Sequence, residues 1–225
     1  MFLKNIIVVG DSFSSNPAGW PRQLAAELNL NLVSYGVGGA SWWPARDFLM
    51  KLDDEVTHNT DVIVFCHTFA IRLPTLDVSL GLLDHSKLDT GIEKQNAIKL
   101  YQKYILDERF LEWAQVQWFK EINEKWGNVK TVHLHCFPWS IDSGKATLQG
   151  VNVTPSLMAI SLDEIGAKEV RLVNDGRSNH FSKENNTELA VQLADIINAY
   201  DTAKVATLDS TKFLQKTSFW KDKEA

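Results

Sequence analysis

The sequence predicts an α/β protein: a three-layer α/β/α sandwich built around a five-stranded parallel sheet. Three observations carry that expectation. Five short runs rich in β-branched residues lack clean in-and-out alternation, which is the pattern of parallel strands covered on both faces. Stretches with helical stripes separate those runs. The order strand, helix, strand then repeats along most of the chain, as in doubly wound sheets.

The elements follow in order. Residues 5–9 form the first strand, and residues 19–28 the first helix, with Trp20, Leu24, Ala25 and Leu28 on one face. Residues 30–35 are the second strand and about 45–57 the second helix. A third strand spans 61–66. After a loop-like insertion at 73–92, one long helix runs from 93 to 126 along the stripe Leu100, Tyr104, Leu111, Val116, Phe119 and Ile122. Strands at 129–137 and 169–173 follow. The last helix, 182–200, opens on Ser182-Lys183-Glu184-Asn185 and turns Leu189, Leu193, Ile196 and Ile197 inward. One domain therefore covers residues 1–200. Residues 201–225 form a polar C-terminal arm with Phe219-Trp220 as its apolar anchor.

Composition narrows the function. At 225 residues with 44% hydrophobic content, a single α/β domain has ample material for a core. A formal charge of −5 with no basic block gives nucleic acid no electrostatic footprint. Cys66 and Cys136 lie in apolar strand-like runs and read as buried reduced thiols, because a disulfide framework would need more cysteines in a smaller chain. No stretch approaches a membrane span and the N-terminus enters a strand directly, so a cytoplasmic location and no membrane partner are expected.

Ligands of open α/β sheets bind at the carboxyl ends of the strands, which points to loops 10–16, 36–43, 67–72, 138–150 and 174–181. In the first, Gly10-Asp11-Ser12 can place a serine hydroxyl beside backbone N–H groups able to bind an oxyanion. The same tripeptide is also ordinary turn chemistry. In the second, Gly36-Val37-Gly38-Gly39-Ala40-Ser41 lets backbone approach a ligand; its place after the second strand excludes a dinucleotide fingerprint. In the last, His180 stands just before a helix, where it can project over the sheet edge and take a proton from Ser12.

These three loops together resemble the SGNH (GDSL-type) hydrolase family of esterases and acyl hydrolases. The carriers are Gly10-Asp11-Ser12-Phe13, the glycine loop 36–41 and His180, and the likeness spans most of residues 4–200. The resemblance implies a flavodoxin-like fold and ester hydrolysis through a serine acyl-enzyme. Ser12 would be the nucleophile and His180 the base, with the N–H groups of Ser12 and Gly39 holding the oxyanion. No metal or organic cofactor is implied.

Two departures stand out. The family's Gly-x-Asn after the third strand is replaced by Cys66-His67-Thr68-Phe69-Ala70-Ile71-Arg72, so the Thr68 hydroxyl, or else a His67 N–H, is expected to supply the missing oxyanion donor. The family's Asp-x-x-His has Arg177 in the acid's place, so Asp175, five residues before His180, is expected to orient the imidazole. Asp11 is a second candidate for that carboxylate, but its place next to the nucleophile reads as turn stabilisation.

Arg72 and Arg177, in active-edge loops, are candidates for an anionic part of the substrate, such as a uronic or sialic acid; the alternative is pairing with a loop carboxylate. Trp42, Trp43 and Trp139 are candidates to stack on sugar or acyl groups, or else pack under loops. An O-acetyl ester on a carbohydrate is the expected small-molecule substrate, with a thioesterase or lipase as the alternative within the class. A non-catalytic carbohydrate- or partner-binding protein that kept the fold is the alternative outside it. His133 and His135 share one strand face and could chelate a metal. With no third ligand nearby in the sequence, a structural pair fits better.

Overall fold

The structure, a computed structural model, describes residues 3–16, 18–75, 92–161, 181–200 and 205–213. Its centre is a six-stranded parallel sheet of β1 (Asn5–Gly10), β2 (Asn31–Gly36), β3 (Thr60–His67), β4 (Lys130–His135), β5 (Val151–Thr154) and β6 (Val205–Thr207). The spatial order is β2-β1-β3-β4-β5-β6, which contains the 2-1-3-4-5 order of flavodoxin-like sheets. β1 and β3 are interior strands, and their side chains feed both faces.

On one face Ile6, Val8, Val62, Val64 and Leu134 pack against α1 (Trp20–Glu27) and α8 (Lys183–Asn198) through Trp20, Leu24, Leu189 and Leu193. On the other, Ile7, Val9, Ile63 and Phe65 meet α2 (Trp42–Met50) and α5 (Glu108–Trp126) through Leu49, Trp118, Phe119 and Ile122. The period of two along each strand serves two apolar layers at once, which is why no polar face shows in the sequence. The remaining helices are α3 (Asp54–His58), α4 (Ile92–Tyr104), α6 (Ile141–Thr147) and α7 (Leu157–Ser161).

The three-layer parallel architecture agrees with the sequence expectation, and several boundaries differ from it. The 93–126 stretch is two helices, α4 and α5, because the side chain of Asp107 accepts the Arg109 N–H and starts a new helix inside a continuous apolar stripe. The 45–57 helix likewise divides into α2 and α3. α2 begins earlier, where Ser41 caps the Trp43 N–H. A strand at 151–154 takes the place beside β4, and the strand expected at 169–173 lies outside the described residues. Residues 205–213, expected in a polar arm, supply β6 and bury Leu208 and Phe213. No helix among the described residues is long and apolar enough to cross a membrane. Cys66 and Cys136 are both free and buried.

Candidate active site

The parallel strands deliver their following loops to one edge. After β1 the chain winds into overlapping turns, with Ser14 N–H donating to Asp11 O at 3.1 Å and Ser15 N–H to Ser12 O at 3.4 Å. The Asp11 carboxylate accepts the Phe13 N–H at 3.1 Å, the local turn-stabilising bond expected of an aspartate there. Trp20 Nε1 donates to Phe13 O at 2.8 Å and fastens the loop to α1. Ser12 is half-buried at the turn's crest, and no described residue hydrogen-bonds its hydroxyl.

The glycine loop lies directly beside it. A Cβ on Gly36 would come within 2.6 Å of Ser14 Oγ, so only glycine lets the first loop cross the end of β2. A Cβ on Gly38 would stand 3.9 Å from Ser12 Cβ, which places the two loops side by side. Gly39 has a φ of 78°, and Ala40 N–H closes the turn on Val37 O at 3.1 Å. Neither the Ser12 nor the Gly39 N–H has an acceptor among the described residues.

The third loop behaves differently from expectation. The Thr68 hydroxyl donates to Asp11 Oδ2 at 2.9 Å and the residue is buried, so its one proton is committed and cannot serve an oxyanion. His67 is on the opposite face, its Nε2 directed at His133 Nδ1 across 3.0 Å, and it is no donor to the site either. Arg72 is only 8% exposed; its Nη1 donates to Asp11 Oδ2 at 2.9 Å and to Ala40 O at 2.8 Å, so of the two readings open to it the structure shows pairing with a loop carboxylate and not a substrate anchor. Trp42 is turned inward, stacked on Trp118 at 6.0 Å in the layer under α5, and is core rather than cleft. Trp43 is half-buried against the edge of Trp42 and beneath the Arg46 guanidinium, which is itself held by Glu121. Trp139 stands in the short 3-10 turn Pro138–Ser140, and its side chain is outside the described set. Asp175, Arg177 and His180 also lie outside the described residues.

What the sequence did not reveal is how much of this edge is built on Asp11. Cys136 Sγ, which follows β4, donates to Asp11 Oδ1 at 3.2 Å; burial and the neighbouring Cys66 and Asp11 push its thiol well up, keeping it protonated. Gln115 on α5 donates to Thr68 O at 2.9 Å and pins the third loop from outside. Beside that loop a recess of about 370 Å³ is lined by Phe69, Ile71, Glu112 and Ser143 among others. At the head of α8, Phe181 packs its ring 5.6 Å from that of Phe13.

Behind β3 and β4 the supposed histidine pair is a trio. His133 Nε2 donates to Gln149 O at 2.7 Å, so its Nδ1 is the acceptor for His67 Nε2. His135 contacts Ser140 Oγ at 3.0 Å and Asn152 Oδ1 at 3.3 Å. Burial holds His133 down to about 3 and His135 to about 4, and burial with the two neighbouring rings lowers His67 as well. No metal-holding group of three or more His, Cys, Asp or Glu exists among the described residues. The third histidine was findable from register, since His67 pairs with His135 across β3 and β4.

The sequence matches no protein-family model and no curated protein. Among solved structures it is similar to a lipolytic protein of the G-D-S-L family from Desulfitobacterium hafniense DCB-2, at 14% identity, with 86% of this chain and 99% of that chain covered and a TM-score of 0.48. It is also similar to the acetyl xylan esterase AlAXEase, at 15% identity over 92% of this chain and 79% of that one, with a TM-score of 0.36. A GDSL-like lipase from Parabacteroides merdae ATCC 43184 shares 15% identity over 88% of this chain and 77% of that one, with a TM-score of 0.35.

Proposed function

We propose that the chain is a serine ester hydrolase of the SGNH (GDSL-type) kind. The observation that carries this reading is a convergence at one sheet edge. Ser12, whose hydroxyl no described residue engages, lies beside the glycine turn, and Phe181, the residue after His180, packs on Phe13, the residue after Ser12. Ser12 attacks the ester carbonyl while His180, oriented by Asp175, accepts its proton. The N–H groups of Ser12 and Gly39 hold the oxyanion. His180 then protonates the leaving alcohol, and water, activated by the same imidazole, releases the acid from the acyl-serine. With Thr68 committed to Asp11, the oxyanion relies on backbone donors. A short acyl ester, such as an O-acetyl group on a carbohydrate, is the substrate class we favour.

Hydrolysis of p-nitrophenyl acetate by wild type, Ser12→Ala and His180→Ala tests the mechanism, with fluorophosphonate labelling alongside. Each substitution is expected to lower kcat by about 10³-fold or more and Ser12→Ala to abolish labelling. Turnover that survives Ser12→Ala, or a wild type that neither turns over nor labels, overturns the proposal and leaves a binding protein. Acetylated sugars, longer acyl esters and acyl-CoA run in parallel sort the substrate class.

A further inference from the structure

Beneath Ser12 lies an ion pair that the hydrolytic mechanism does not use. Asp11 is fully buried and Arg72 nearly so, and the pair touches the loops that follow four strands. Asp11 leads the loop after β1 and Ala40 O belongs to the loop after β2. Thr68 and Arg72 follow β3, and Cys136 follows β4. The Phe137 ring, 5.2 Å from the guanidinium carbon, covers the pair. Burying two charges is a poor way to gain stability, because desolvation consumes most of the attraction and well-packed apolar residues often do better. A bare carboxylate next to the nucleophile would also repel a developing oxyanion, which the guanidinium offsets.

We propose that Arg72 is a positioning residue that braces the nucleophile turn against the glycine turn, so that the Ser12 and Gly39 N–H groups face a common point. The inference rests on the hydrolase reading above. Ser12 is flanked by Asp11, whose carboxylate is held by Arg72, and by Phe13, whose N–H is held by that same carboxylate. Gly39 is followed by Ala40, whose N–H closes on Val37 O and whose carbonyl is taken by Arg72 Nη1. One guanidinium nitrogen thus fixes a residue adjacent to each donor. The third loop brings the arginine there by folding back on itself, with Arg72 N–H on Phe69 O at 3.2 Å. In this chain the third loop supports the oxyanion site from behind instead of lining it.

Two variants test the brace. Arg72→Lys keeps the charge but is one bond shorter, which draws the donor back from both Asp11 Oδ2 and Ala40 O. Asp11→Asn with Arg72→Gln removes both buried charges, so no unpaired ion is left to unfold the protein. Amide hydrogen exchange at residues 12–13 and 38–41 is read alongside kcat and KM on p-nitrophenyl acetate. The expected result is a fall in kcat of about 10²-fold with KM nearly unchanged, the scale of a small misplacement of reacting groups. Exchange at Ala40, whose N–H closes the glycine turn on Val37 O, should rise by about tenfold or more while α1 stays protected. Exchange at 38–41 that stays at the wild-type rate in either folded variant overturns the inference, as does kcat within about threefold of wild type in both. A wild type without serine-dependent turnover sinks the hydrolase reading instead, and the exchange rates still decide whether Arg72 holds the turn.

Discussion

The two buried polar clusters of this molecule meet the same problem in opposite ways. At the carboxyl edge, Asp11 and Arg72 keep their charges and satisfy them with each other, a hydroxyl, a thiol and two backbone groups. Within β3 and β4, His67, His133 and His135 surrender their charges, and burial holds all three neutral. The charged cluster joins loops that have no ladder to fix them. The neutral cluster occupies strands already paired along their length. Charge is kept where it positions otherwise free backbone, and shed where the sheet has done that work.

Acid is the largest expected way to separate the two. In the unfolded chain each histidine titrates near 6.5, whereas in the folded protein His133 and His135 do so at about 3 and about 4. Their folded values are depressed, so below pH 6.5 the unfolded state binds more protons. The stability they allow is whole above that pH and falls by about 1.4 kcal/mol per pH unit for each histidine on acidification, until the folded values are reached. Urea midpoints measured from about pH 7.5 to about pH 5 should therefore drop steeply; a flat profile would mean that the trio takes up protons without unfolding.

A smaller effect is expected from breaking the charged cluster on one side. Asp11→Ala leaves Arg72 buried and unpaired and should cost about 3–5 kcal/mol in a denaturant titration, and a loss under about 1 kcal/mol would show that water reaches the guanidinium. The smallest effect belongs to an ion pair with neither burial nor loops to join. The Lys4–Asp61 bridge has its lysine 62% exposed, and Lys4→Ala should shift stability by about 0.5 kcal/mol or less. A loss comparable to that of Asp11→Ala would erase the distinction between placed and incidental charge.

The parts of the fold that could be read from the chain are those with long apolar signals. β1, β3 and the stripes of α1 and α8 each carry enough periodic residues to declare themselves. Val151–Thr154 is four residues long and Val205–Thr207 three, too short for a pattern, and both owe their conformation to the strand alongside. The break at 105–107 was hidden because the apolar stripe continues through it and only the Asp107 cap interrupts it. At the site, Ser12 and the glycine loop announced themselves through local turn chemistry. The roles of Thr68 and Arg72 could not, because a hydroxyl or guanidinium finds its partner through tertiary structure. Here the partner stands 57 residues away for one and 61 for the other.

The sixth strand carries a practical consequence. Residues 205–213 have the composition of a tail, yet Leu208 N–H donates to Thr154 O at 2.7 Å, and Leu208 and Phe213 seal the end of the core. A chain cut after residue 200 would present β5 as a bare edge, with its amides and carbonyls unpaired and an apolar opening beside them. Such an edge recruits strands from other molecules. Trimming what looks like a dispensable terminus would turn the sheet's flank into a template for aggregation.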